Sequence, residues 1–239
     1  MKIYIIRHGD PDYEKDSLTE KGFREAEYLS QKIVKTKIDD FYCSPLGRAQ
    51  ATAKPSMEKL HRTYEVLPWL REFAGYVVSP HTGEHRLCWD FAPSDWADEE
   101  KHYLPDECFD TPLMRSGNVA EIYEESRHGL DALLKKYGIV REGRHFISTQ
   151  PEKEDCSIAL FCHCIMGLTI VSHLTGIAPV VLWHNFFLPT SSVSTIVTEK
   201  DQHGKIHFRC AQLGDTSHLY VNNEPISEAG LYPYANFER

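Results

Sequence analysis

With 239 residues and a 41% hydrophobic share, the chain can build a full core, which excludes a disordered class and suits one α/β domain with room for an insertion. A formal net charge of −9 and a pI near 5.8 argue against a nucleic-acid footprint and against a membrane-surface module. An acidic protein that binds anions must concentrate its cations locally. The seven cysteines include no CxxC pair, and the apolar start, Ile3 to Ile6, is too short for a secretory or membrane segment. Reduced thiols and a cytoplasmic location are the expectation.

In chain order, Ile3-Tyr4-Ile5-Ile6 reads as a strand buried on both faces, ending in Arg7-His8-Gly9. A polar loop, Gly9 to Asp16, leads to Ser17-Leu18-Thr19-Glu20, a capping box for a helix to about Lys35. Phe23, Ala26, Leu29, Ile33 and Val34 give that helix its apolar side. Asp39 to Cys43 predicts a strand, and Ser44-Pro45 opens a second helix that carries Arg48, Ala49, Ala51 and Ala53. Tyr64 to Leu67 predicts a third strand, leading into Trp69-Leu70-Arg71-Glu72-Phe73.

Between residues 74 and 117 the regular pattern lapses. Pro80, Pro93, Pro105 and Pro112 interrupt it, with Trp89, Phe91 and Trp96 between them, which predicts an insertion of short helices capping the carboxyl edge of the sheet. Helical spacing returns from Val119 to Tyr137 and closes at Gly138; Gly143 to Asp155 is polar and turn-rich. Ser157 to Cys162 is a second continuous apolar strand with His163 at its end, and Ile165 to Leu174 fits a helix stopped by Gly176. Ser192 to Thr198 and Lys205 to Leu213 read as two strands joined by a turn at 201–204. The pattern predicts a single domain over 1–239. Its fold class would be α/β, a three-layer sandwich whose mostly parallel central sheet is covered by helices on both faces.

Basic groups follow three of the predicted strand ends: Arg7-His8, Ser44 to Arg48, and His163. In an open α/β sheet such ends lie along one edge, where ligands bind. Two guanidiniums and two imidazoles there would suit a phosphoryl group, whose oxygens accept bidentate arginine bonds in the ground and transition states. His81-Thr82-Gly83-Glu84-His85 matches a zinc-protease string, but that chemistry needs a helix, which Pro80 and Gly83 oppose. Cys162-His163-Cys164 on a strand sends neighbouring side chains to opposite faces, a poor chelate, so no metal is expected.

Arg7-His8-Gly9, Leu18-Thr19-Glu20-Lys21-Gly22 with Ala26, and Ser44-Pro45-Leu46-Gly47-Arg48-Ala49 occur in that order. His163 behind its buried strand and Asp215-Thr216-Ser217-His218-Leu219 follow. Together these motifs resemble the histidine phosphatase superfamily, which includes the cofactor-dependent phosphoglycerate mutases; the insertion is the part least covered. The resemblance implies a phosphoglycerate mutase-like fold with His8 as the nucleophile that forms a phosphohistidine. Arg7 and Arg48 would hold the phosphoryl oxygens, and His163 would add a donor. Glu72 occupies the place of the family's acid, which would protonate the leaving alkoxide and later activate water. Glu84 is its rival. No metal or cofactor is implied.

One departure stands out. A glycine commonly follows the second histidine of the family, and this chain has Cys164 there, beside the phosphate. Asp10, Arg71, Glu84, Arg86 and Trp89 are further pocket candidates, the two arginines for a second anionic group on the substrate. The leading expectation is a metal-independent phosphomonoester hydrolase acting on a small phosphorylated substrate, without nucleic-acid or membrane partners. The alternatives are a phosphoglycerate mutase-type phosphotransferase and a catalytically silent protein that binds a phosphorylated ligand.

Overall fold

Alternation along the first strand sets the two faces of the molecule. In the computed structural model, which describes residues 1–231 and leaves 232–239 outside the described residues, strand β1 (Lys2–Arg7) sends Ile3 and Ile5 into one core and Ile6 into the other. Helix α1 (Glu20–Ile33), strand β2 (Asp40–Cys43), helix α2 (Gly47–Leu60) and strand β3 (Glu65–Val66) follow. After the insertion come α3 (Val119–Lys136), β4 (Ile139–Glu142), β5 (His145–Ser148), β6 (Ser157–Cys162), α4 (Cys164–Thr175), α5 (Pro179–Asn185), β7 (Val193–Lys200) and β8 (Lys205–Asp215).

The strands form one eight-stranded sheet in the order β3-β2-β6-β1-β7-β8-β5-β4. The run from β3 to β1 is parallel and the rest antiparallel, so the sheet is mixed. Helices cover both faces. Leu29, Ile33, Ala49 and Ala53 of α1 and α2 pack against Ile6, Phe41, Ala159 and Phe161. Leu130, Leu134, Leu168 and Trp183 of α3, α4 and α5 pack against Ile3, Ile5, Ile158 and Leu160.

Several local expectations are corrected. Helix α1 is capped by Thr19, whose Oγ1 accepts from Gly22 N at 3.1 Å, while Ser17 and Leu18 pair with Pro11 and Asp12 as short strands. Phe23 and Val34 face solvent, and buried Glu25 shares the inner side with Ala26 and Leu29. The polar stretch after Gly138 holds a hairpin instead of turns alone: β4 and β5 join through Gly143, whose φ of 62° suits glycine. The insertion contains the hairpin Tyr76–Val78/His85–Leu87 besides short helical turns such as Pro93–Trp96 and Glu100–Tyr103. His81 therefore lies in a turn and His85 on a strand, so the H-x-x-E-H string has no helix to align it.

Leu160 of β6 is fully buried between neighbouring strands and α4. Leu160→Ala should lower unfolding free energy by about 2–5 kcal/mol in a denaturant titration. A loss below about 1 kcal/mol would contradict the packing described.

Candidate active site

Parallel pairing places Arg7 opposite Cys162 and Phe161 opposite Cys43, so the chain leaves the sheet at His8, Ser44 and His163 side by side. The backbone there is tightly held. His8 N donates to Cys162 O at 3.0 Å, Ser191 N donates to His8 O at 2.9 Å, and Gly9 N donates to Thr52 Oγ1 at 2.9 Å. A side chain at position 9 would put its Cβ 2.8 Å from Gly22 O, which explains the glycine after His8.

Hydrogen bonding assigns the proton of the His8 imidazole. His8 Nδ1 lies 2.7 Å from Gly9 O, and a carbonyl can only accept, so Nδ1 carries hydrogen and Nε2 keeps its lone pair. Burial first, and then the Arg7 guanidinium, pushes the His8 pKa down to about 3, which keeps the ring neutral. His163 Nε2 lies 2.7 Å from Ser44 Oγ, and that oxygen already accepts Leu46 N–H at 3.2 Å. His163 Nδ1, on the other side of the ring, is buried with no protein partner. The two rings are 5.1 Å apart, centroid to centroid. Burial, His8 and the two arginines hold His163 well below the ordinary imidazole pKa.

Arg7, only 2% exposed, donates through Nη1 to Leu188 O at 2.5 Å and through Nη2 to Ala229 O at 2.8 Å. Arg48, at the start of α2, donates to Asp16 Oδ1 at 2.6 Å. In both arginines Nε is buried without a partner. Glu72 Oε1 accepts the amides of Phe73 and Met166, each at 2.9 Å, the second from the first turn of α4. Burial outweighs those bonds and the nearby Arg7 and Arg48, so the carboxyl pKa is raised.

Arg7, Glu72, Trp89 and Cys164 line one cavity of about 200 Å³ with Tyr13, Trp183 and the 184–187 segment. Cys164 stands at the first position of α4, and burial raises its thiol pKa. The other candidates lie elsewhere. Asp10 accepts from Thr19 Oγ1 at 2.6 Å and from Ser227 Oγ, which ties its loop to the C-terminal segment. Arg71 and Glu84 are exposed, Glu84 in the Tyr76–Leu87 hairpin turn. Arg86 reaches Asp90 and lies over Phe91, and it is not among the residues that line the cavity.

The sequence motifs, and the stretches between them, contain other site residues to which the motifs assign no role. Ser44 and Thr52 hold His163 and Gly9. Glu25, buried in α1, accepts from Asp10 N at 2.9 Å and Thr190 Oγ1 at 3.0 Å, bracing the loop after His8. His218 Nε2 lies 3.0 Å from Ser191 Oγ, which supports the 188–192 turn against Arg7. Trp183, Phe186 and Phe187 form the cavity wall; their clustering between Pro179 and Pro189 was the available signal.

The description "Histidine phosphatase superfamily (branch 1)" applies to the family model that matches residues 3–210. The chain belongs to this superfamily. A probable phosphatase of Schizosaccharomyces pombe is 33% identical over 67 residues, 24% of this chain and 32% of that protein. The match thus spans about a third of that relative. Among solved structures, the native mycobacterial glucosyl-3-phosphoglycerate phosphatase superposes with a TM-score of 0.60 at 17% identity, covering 90% of this chain and 99% of that one. A phosphoserine phosphatase of Entamoeba histolytica gives 0.57 at 20% identity, covering 91% and 98%. The α-ribazole phosphatase of Shigella flexneri gives 0.57 at 17%, covering 90% and 96%. At these identities the likeness establishes the fold of this histidine phosphatase family member.

The depressed His8 pKa has a measurable consequence. Long-range ¹⁵N–¹H spectra should show His8 neutral and protonated on Nδ1 from about pH 8 down to about pH 5. The unfolded chain takes up this proton first as pH falls. The group therefore removes stability progressively between the unfolded value of 6.5 and about 3. A His8 titration midpoint near 6.5 would contradict the assignment.

Proposed function

We propose that the protein is a phosphomonoester hydrolase that works through a phosphohistidine on His8. The observation that carries this reading is the grouping of one neutral imidazole, with Nε2 unprotonated, beside three buried nitrogens that lack protein partners. Those nitrogens are Arg7 Nε and Arg48 Nε, which can only donate, and His163 Nδ1, which donates to phosphate in its Nδ1-protonated form. They match the needs of a phosphoryl group, whose equatorial oxygens gain charge as the reaction proceeds.

In the first step His8 Nε2 attacks phosphorus and the bond to the ester oxygen breaks. Glu72 passes its proton to that oxygen, so the product leaves as an alcohol. The imidazolium formed on His8 is stabilised by its Nδ1–H bond to Gly9 O. In the second step water attacks the phosphohistidine, the N–P bond breaks, and the water proton returns to Glu72. The raised Glu72 pKa supports this role, because the acid form persists above the usual carboxyl range. Arg7 and Arg48 supply charge stabilisation throughout, and no step requires a metal or cofactor.

A mutase would return the phosphoryl group to a carboxylate-bearing product and needs cations for that carboxylate. Arg71 and Arg86 do not line the cavity, which favours water as the acceptor.

His8→Ala should lower kcat on any phosphomonoester by more than about a thousandfold; retention of activity would remove the mechanism. Glu72→Gln should slow alkyl phosphates by about 10²–10⁴ and aryl phosphates far less, since a phenolate leaves without a proton. It should also abolish the loss of alkyl-ester turnover that accompanies Glu72 deprotonation as pH rises. Equal loss on both ester classes would assign the acid to another residue.

A further inference from the structure

The cavity beside Arg7 and Glu72 has walls of unusual composition. Five rings line it: Tyr13, Trp89, Trp183, Phe186 and Phe187. Arg7 is the permanently charged cation among its described lining residues, and its Nη1 and Nη2 already donate to Leu188 O and Ala229 O. His184 also lines it, but burial pushes that imidazole down to about 4, so it is neutral near pH 7. The remaining ionisable lining groups are Glu72, Cys164 and Tyr13, none of them a cation.

Each feature bears on the leaving group. With Arg7 engaged by two carbonyls and by the phosphoryl group, a carboxylate taken from water into this space would meet aromatic walls and no further cation among the described lining residues, an uncompensated desolvation. A flat apolar ring would instead stack against aromatic faces and remove apolar surface from water. The volume of about 200 Å³ lies below the ~300–1,000 Å³ usual for drug-sized ligands, which restricts the occupant to about one ring.

We propose that this cavity selects phosphomonoesters whose leaving group is a single uncharged aromatic ring on a short linker, and discriminates against esters that carry a carboxylate. This inference rests on the phosphohydrolase reading and adds the substrate class.

The test compares benzyl phosphate with 2-phosphoglycolate on the full-length protein. Both release primary alkoxides, so leaving-group basicity does not set the outcome. Benzyl phosphate should be preferred at least about 100-fold in kcat/KM, chiefly through KM. Phe186 is 44% exposed, so its replacement spares the core. Phe186→Ala should shrink that preference about tenfold, and Phe186→Arg should shrink it further by raising kcat/KM on 2-phosphoglycolate. Circular dichroism and thermal melting confirm that each variant is folded. Equal or better turnover of 2-phosphoglycolate by the unmodified protein would overturn the proposal and leave the hydrolase reading standing. A preference unmoved in both folded variants would also overturn it. Absence of turnover on benzyl, p-nitrophenyl and 2-phosphoglycolate esters alike would overturn the hydrolase reading, and the proposal with it.

Discussion

The site depends on the parallel pairing of β1 with β6, in register from Lys2–Ser157 to Arg7–Cys162. Because that register ends both strands together, the next residues, His8 and His163, emerge as neighbours although 155 positions separate them. Alternation then divides the labour. Ile3 and Ile5 share one face with Arg7, which reaches toward the aromatic cavity, while His8 leaves the sheet beside α2 and Arg48. A one-residue slip would exchange the faces and bury isoleucines where charge is needed.

The electrostatics follow from that placement. Arg7 is buried against two carbonyls and an aromatic face, with no carboxylate paired to it among the described ion pairs. Such a charge is costly in isolation and is stabilised by an incoming anion. The same positive field, together with burial, holds both histidines neutral. Burial disfavours charge at Glu72 as well, which for a carboxyl raises the pKa against the pull of the arginines. One enclosed space thus shifts the His8 and Glu72 pKa values toward each other, each in favour of its neutral form.

Much of this was legible in the sequence because it is local. Continuous apolar runs marked β1 and β6, and basic residues at their ends marked the edge. The hairpin β4–β5 was not legible, since one polar stretch with a glycine turn serves equally for loop or edge strands. Glu84, Arg71 and Arg86 were plausible by proximity in sequence, but the hairpin of the insertion turns Glu84 to solvent and Asp90 takes Arg86. Ser44, Thr52, Glu25 and His218 act by hydrogen bonds across 15 to 165 positions, which no periodicity records. The wall formed by the 183–187 segment depends likewise on tertiary packing.

The central claim is that Gly9 O fixes the His8 ring so that Nε2 is the attacking atom. Rapid quenching during turnover, followed by peptide mapping under alkaline conditions and ³¹P NMR, locates any phosphoryl group on the chain. The account requires phosphate on Nε2 of His8, formed and discharged at rates no slower than kcat. Phosphate on Nδ1, on another residue, or a burst-free reaction with no phosphorylated protein under single-turnover conditions would contradict it.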